Sequence, residues 1–468
     1  MCPRQLPSSI SAPGLAPDRC ERFSLSMTNK RAVSGQWAPT AQGSGAQGRS
    51  RRAAAAKPGE ILPLTGIRIF AAMAVVFFHM RGNLKDEFPS VLRWVSPVLD
   101  HGDLAVDLFF SLSGFLLAWN YVARIGDHLP AKETARYLWS RLARVWPVYF
   151  ITLTIAMLWH GFTVLHGPDP VAPKDFTPLS YLRQLFMVVM WTEPDNNRVT
   201  WDGPAWSVSC EWLAYLLFPL LALLLFRLAA VLRVRHLIMY TLLLLGPVVV
   251  LACASKNLYI PYLWVLRLLG AFVGGGVAAM IVRRIPRTAR NGWWASRATE
   301  AVLIAIVAYL YLIKLVDRPQ YYPVVLFLFV PLIAASAMAT GGVARVLSSR
   351  AIVRGGHISY SVYLVHMLLI EPIWWAQNVW PKTFAPHTLL VEGLFLSVPV
   401  VALALSYLMW RFVEEPARRA MTAMVKRRRP PVSHGTDGAA TNGNGSAGRG
   451  VQGDGSLGKR PVAPGSVR

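Results

Sequence analysis

The sequence predicts an all-α polytopic membrane protein with about ten transmembrane helices and both termini in the cytoplasm. Three observations predict it. Hydrophobic residues make up 54% of the 468 and charged residues only 15%, whereas a soluble domain is about a quarter charged. Between residues 60 and 420 the apolar residues collect into runs of the roughly 20 residues a helix needs to cross a bilayer. Lys and Arg, finally, gather in alternate connections, as the positive-inside rule requires.

The runs lie near 61–80, 103–123, 143–165, 205–226, 237–254, 260–282, 299–316, 321–340, 359–378 and 388–412. The stretch Tyr181 to Trp191 is amphiphilic and too short to span, and reads as an interfacial or re-entrant helix. With both ends inside, the cytoplasmic connections carry Arg124, Lys132, Arg136, Arg141 and Arg144, then Arg227, Arg233 and Arg235. Arg283, Arg284, Arg287, Arg290 and Arg297 follow, and then Arg345, Arg350 and Arg354. The opposite connections are sparser in Lys and Arg and hold Asp86, Glu87, Asp100, Asp169, Asp175, Glu193 and Asp195. The alternation holds through all ten runs.

Residues 1–59 are rich in Ser, Pro, Gly, Ala and Arg, with no apolar stretch of the signal-peptide kind, and are expected to form a disordered basic tail. Residues 421–468 carry the basic stop Lys426-Arg-Arg-Arg429, turn Gly/Asn/Ser-rich beyond it, and are expected to be a second disordered tail. One membrane domain, 60–420, lies between them. The formal charge of +24 is explained by tails and cytoplasmic loops rather than by nucleic-acid binding. Cys2, Cys20, Cys210 and Cys253 have neither disulfide nor metal-ligand spacing, so no metal site is expected.

Ionisable residues inside apolar runs are costly and mark sites or buried partners. In the first run Arg68 and His79 are eleven positions apart, about three helical turns, so they share a face roughly 16 Å apart. The topology puts His79 at the outer end and Arg68 toward the cytoplasm. The second run starts outside with Asp103 and Asp107, and the fourth starts outside with Trp201 and carries Glu211, so His, Asp and Glu are expected at similar depth. A His beside a carboxylate is a general base for a hydroxyl. Arg68, Arg141 and Arg144 gather on the cytoplasmic side and suit phosphate groups. Each has a plainer reading: His79 as an interfacial residue, Asp107 or Glu211 as a bundle hydrogen-bond partner, Arg141 and Arg144 as topology determinants. Trp201 and Trp206 fit an interfacial belt, and Ser111-Leu-Ser-Gly-Phe115 fits small-residue packing.

Six segments in order carry a resemblance. They are Leu64-Thr-Gly-Ile-Arg68 with His79, Asp107-Leu-Phe-Phe-Ser-Leu-Ser-Gly-Phe115, and Arg141-Leu-Ala-Arg-Val-Trp-Pro147. Trp201-Asp-Gly-Pro-Ala-Trp206-Ser-Val-Ser-Cys-Glu211, His357-Ile-Ser-Tyr-Ser-Val-Tyr-Leu-Val-His366 and Glu414-Glu-Pro-Ala-Arg418 complete the set. Over about 60–420 the chain resembles the membrane acyltransferase family called type three, whose members O-acylate glycans and natural products. Cys210 stands where that family more often has Val.

The resemblance implies acyl-CoA, acetyl-CoA by default, as co-substrate and no bound cofactor. The acceptor is a hydroxyl of a glycan such as exopolysaccharide or lipopolysaccharide, or alternatively of a macrolide-type metabolite. The implied location is a bacterial inner membrane, with the lipid bilayer as a partner and no nucleic acid. His79 is the implied base, with Asp107 or Glu211 orienting it and Arg68, Arg141 and Arg144 holding the donor. Ser113, Trp206 and His366 are further candidates. Direct attack and an acyl-enzyme route both stay open. A carrier or flippase of a lipid-linked glycan is the competing class, and would be indifferent to His79; the weak internal repeat that many such folds show is not visible.

Overall fold

The computed structural model describes residues 59–126, 128–167, 176–196 and 201–426. The two expected tails lie outside these residues, except Gly59 at one end and 421–426 at the other. Among the described residues the chain is helical without a β-strand.

The first helix, α1 (Leu62–Glu87), has Pro63 in its opening turn, where the missing N–H costs nothing. A short α2 (Pro89–Leu99) follows, then α3 (Leu104–Ile125) and α4 (Ala131–His166). At 1.5 Å per residue the 36 residues of α4 are about 54 Å long, so it continues well past one side of a bilayer. The amphiphilic stretch becomes α5 (Pro178–Leu185), opened by a capping box between Thr177 and Ser180. With eight residues it is too short to span. Next come α6 (Ala205–Val231), α7 (Val234–Ser255), α8 (Leu263–Arg284), α9 (Ala289–Leu315), α10 (Leu326–Met338) and the short α11 (Val343–Leu347). The chain ends with α12 (Arg350–Val379), α13 (Leu389–Met409) and α14 (Glu415–Lys426). The last two are joined by a π-helical turn, Trp410–Glu414, and α14 runs beyond the expected domain boundary at 420.

Nine helical segments among the described residues are long and apolar enough to cross a membrane. The tenth expected span, 359–378, lies within α12, which the nine do not include. Its sequence carries His357, Ser359, Ser361, His366 and Glu371 on a 30-residue helix. Side-by-side contacts nevertheless run α12 along α1: Gly356 packs on Thr65, His366 reaches His79, and Trp374 donates to Asn83 at 2.8 Å. Both series rise together, so the two helices are parallel and cover the same depth. This is what an even number of steps between the first and ninth spans requires.

The second parallel pair, α3 and α8, forms the centre. Buried residues make up 78% and 72% of their apolar windows, against 17% for the peripheral α9. Their backbones touch at two glycines. A Cβ on Gly114 would stand 1.8 Å from the Phe272 carbonyl oxygen, and one on Gly275 would stand 1.9 Å from that of Ser111. Lipid gives apolar helices no hydrophobic reason to associate, so close approach through small residues supplies the van der Waals contact instead. The expected packing role of Ser111–Phe115 is therefore real at Gly114. The same device joins α1 to α12, where a Cβ on Gly356 would lie 1.9 Å from the Thr65 carbonyl.

Candidate functional site

Two cavities open between these helices. The larger one, about 400 Å³ and termed outer after the expected topology, is lined by Phe78, His79, Asp103, Trp206, Tyr259 and Tyr363 among others. The inner one, about 50 Å³, is lined by Arg68, Phe109, Ser113, Glu211, Ser359 and Tyr360 among others. Val106 and Tyr363 line both, and are the shared wall. The Tyr363 hydroxyl is fastened there, 2.6 Å from Ser207 Oγ and 3.3 Å from the Pro204 carbonyl it donates to. Since α1 is one uninterrupted helix, Arg68 and His79 end in different cavities along one rigid rod.

The His79 ring is held by backbone geometry. Its Nδ1 lies 2.9 Å from the Val75 carbonyl oxygen, and His366 Nδ1 lies 2.7 Å from that of Tyr363. Carbonyl oxygens only accept, so each Nδ1 carries a proton and each Nε2 of the neutral rings keeps its lone pair. His366 Nε2 then faces His79 Nδ1 at 3.3 Å, with ring centroids 4.9 Å apart. His366 is fully buried. The arrangement leaves His79 Nε2 as a proton acceptor on a residue that lines the outer cavity.

The carboxylates are distributed differently from the expectation of a shared depth. Asp107 is one turn into α3 and is gripped by Arg267 of α8, with Nε–Oδ1 at 3.1 Å and Nη2–Oδ2 at 2.7 Å. Both side chains are essentially inaccessible. Arg267 also donates to the Leu258 carbonyl at 3.3 Å and lies over the rings of Trp206 and Tyr259. Glu211 is six residues into α6, about 9 Å along its axis, and so faces the inner cavity with Arg68. It accepts hydrogen bonds from Ser113 Oγ and, at 2.6 Å, from the Tyr215 hydroxyl. The carboxylate lining the cavity of His79 is Asp103, whose Oδ2 accepts from Tyr259 at 3.1 Å. Burial, with this carboxylate beside it, pushes the Tyr259 phenol well above its usual range and keeps it a donor.

The arginines also divide. Arg68 lies 6.0 Å from the Phe109 ring centroid, and its Nε is buried without a hydrogen-bond partner among the described residues. Arg141 lies over Tyr121 and Tyr215. Arg144 pairs with Glu414 at 2.6 Å, and Ser361 donates to the other oxygen of that carboxylate at 3.4 Å. The π-helical turn is what carries Glu414 into this buried position, and such turns recur where a helix must re-aim a functional side chain. Trp206 forms a wall of the outer cavity, edge-on to Tyr259 with centroids 6.4 Å apart. Among the described residues no three His, Cys, Asp or Glu side chains are grouped as a metal ion would require.

Arg267 was not singled out from the sequence, and Glu414 and Tyr363 figured only inside motifs. A signal existed for the first. Arg267 is the lone charge inside the run 260–282, and a buried guanidinium in a membrane demands a carboxylate from a neighbouring helix.

A family model described as an acyltransferase domain matches residues 62–410. An acyltransferase of Streptomyces mycarofaciens, MdmB, is 27% identical over 391 residues, which is 78% of this chain and 93% of that protein. Nodulation protein 10 of Rhizobium leguminosarum bv. viciae is 24% identical over 77% of this chain and 94% of its own length. Protein 2 in the picA locus of Rhizobium radiobacter is 30% identical over 33% of this chain and 78% of its own. No solved structure matches.

Proposed function

We propose, since this chain belongs to the acyltransferase-domain family and is a membrane enzyme transferring acyl groups other than amino-acyl groups, that it moves an acetyl group from acetyl-CoA to a carbohydrate hydroxyl. The carbohydrate is a glycan such as exopolysaccharide or lipopolysaccharide, and the membrane is a bacterial inner membrane with both chain termini on the cytoplasmic side. The observation that carries this reading is the 2.9 Å contact of His79 Nδ1 with the Val75 carbonyl. The Val75 carbonyl holds the Nδ1 proton, which leaves Nε2 as the base in a cavity large enough for a sugar ring.

In the direct route His79 Nε2 takes the proton of the acceptor hydroxyl as its oxygen attacks the thioester carbonyl. The C–S bond then breaks, and the thiolate recovers that proton from the imidazolium. His366 Nε2 accepts from Nδ1–H throughout and stabilises the imidazolium, the place a carboxylate takes in other acyl transfers. Arg68 and Arg141 serve the donor from the inner side. Arg144 contributes through Glu414, which it already holds. Glu211 sets the rotamer of Ser113 beside Arg68. Asp107 acts on the outer cavity through Arg267, which backs Trp206 and Tyr259.

The test is a deletion strain analysed by mass spectrometry of its surface glycans and secreted metabolites, together with purified protein in lipid nanodiscs given radiolabelled acetyl-CoA. The acceptor loses one acyl mass on deletion and regains it with the wild-type gene, but not with His79→Ala inserted at normal levels. A fully active His79→Ala protein refutes the mechanism. Absence of any acetyl-CoA consumption by the wild type in the presence of the acceptor refutes acetyl-CoA as the donor.

A further inference from the structure

The outer cavity contains one polar side chain with an unmet demand. Asp103 is 5% exposed, its Oδ2 is engaged by Tyr259, and its Oδ1 has no hydrogen-bond partner among the described residues. A buried carboxylate oxygen left unpaired forfeits the hydrogen bonds it had in water. Arg267 does not answer it with a hydrogen bond, because its guanidinium is divided between Asp107 and the Leu258 carbonyl. Asp103 is itself part of the cavity lining.

Around it the lining is of one chemical kind. Trp206 and Tyr259 are aromatic walls, Phe78 and Tyr363 close two further sides, and Asn196 and Asn257 add amides at the rim. Flat apolar faces beside carboxylate and amide groups match a pyranose, whose C–H faces are apolar and whose edge carries hydroxyls. The Arg267 guanidinium already lies 5.7 and 5.1 Å from the Trp206 and Tyr259 ring centroids, which leaves less aromatic face to hold a second cation.

We infer that Asp103 is the acceptor-binding carboxylate of the outer cavity, taking a hydrogen bond on Oδ1 from a hydroxyl of a neutral sugar ring whose neighbouring hydroxyl is presented to His79. This rests on the acyl-transfer reading for the role of His79, and not for the binding itself. Sugar binding removes the unpaired oxygen and orients the ring at once, while Tyr259 holds the carboxylate in place through Oδ2.

The experiment measures binding of methyl β-D-glucopyranoside to the full chain in lipid nanodiscs by saturation-transfer NMR. Methyl 2-amino-2-deoxy-β-D-glucopyranoside and cyclohexylmethanol are the comparison probes. Wild type should bind the glucoside saturably and cyclohexylmethanol at least tenfold more weakly. Asp103→Ala should weaken glucoside binding tenfold or more, with Asp103→Asn between the two, each checked for an unchanged melting transition. If Asp103→Ala does not fold, the isosteric Asp103→Asn and Tyr259→Phe carry the test, and both should weaken the glucoside. No saturable glucoside binding by wild type, equal binding by every folded variant, or preference for the amine probe overturns the inference. Glucoside binding without acetyl-CoA consumption would sink the acyl-transfer reading and leave this site standing. Acetyl-CoA consumption without glucoside binding would do the reverse.

Discussion

Replacing Asp107 by Leu should unfold the outer half of the site before it touches the chemistry. Asp107 and Arg267 are 0% and 1% exposed and share two hydrogen bonds. Removing one partner of such a pair leaves a buried charge uncompensated, which costs about 3–5 kcal/mol. Arg267 keeps only the Leu258 carbonyl, and its hold on the Trp206 and Tyr259 rings loosens. Replacing both partners with apolar residues of similar volume is, by contrast, commonly neutral or stabilising. The doubly substituted Asp107→Leu, Arg267→Met protein should therefore melt within a few degrees of wild type, while Asp107→Leu alone melts clearly lower. Thermal unfolding in nanodiscs by tryptophan fluorescence provides the comparison, with acetyl-CoA consumption read on the same samples. If Asp107 acts only through Arg267, the double variant regains stability but transfers no more and no less than Arg267→Met alone. A single variant as stable as wild type refutes the energetic reasoning, and a stable double variant that transfers less than Arg267→Met refutes the indirect role and puts Asp107 back among the reacting groups.

Two further outcomes are expected. His366→Leu should lower kcat about tenfold to a hundredfold with an unchanged KM for acetyl-CoA, and His366→Gln, which returns an acceptor near the Nε2 position, should recover much of it; a uniform loss in both variants would mean that His366 only packs. Asp202, in the connection before α6, is 3% exposed, and burial pushes its carboxyl up from 3.8 to about 7, partly offset by a hydrogen bond from Thr152. The folded state thus holds this proton more tightly than the unfolded state, so the stabilisation is complete below about pH 4 and is lost as pH rises through 7. Wild type should melt at falling temperature from pH 5.5 to 8.5 and Asp202→Asn should fall less steeply; parallel curves would exclude Asp202 as the cause.

What could be read in the sequence follows from which interactions are local. Helix existence was legible because length and hydropathy are summed along the chain, so the spans appear within a few residues of 61–80 or 205–226. The face shared by Arg68 and His79 was legible for the same reason, since helical rise and period fix both. The partner of His79 was not, because His366 comes 287 residues later and meets it through a parallel crossing of glycine on backbone that no periodicity announces. Depth was misjudged at Glu211 because the expectation compared span ends, whereas six residues of rise carry it past the shared wall into the cavity of Arg68. Asp107 was expected to serve His79, but its geometry is consumed by Arg267 on a helix whose single charge gave the only hint.

The shared wall sets a condition on any transfer between the two ends of α1. On the proposed reading, a donor held at Arg68 and an acceptor held at Asp103 would lie in cavities separated by Val106 and Tyr363, and the roughly 16 Å of helix between Arg68 and His79 cannot shorten. The reacting thioester must therefore travel, rather than the residues that hold its two ends. The Tyr363 hydroxyl stands across that route, tied to Ser207 and to the Pro204 carbonyl just ahead of α6. These are two neutral hydrogen bonds, each worth about 1 kcal/mol net, which is small enough for an entering acyl chain to break and large enough to keep water from crossing when none is present. The same side chain begins the segment that anchors His366, whose Nδ1 donates to the Tyr363 carbonyl. Displacing the phenol thus leaves the backbone contact that fixes the tautomer of His366 intact, and with it the acceptor that faces His79.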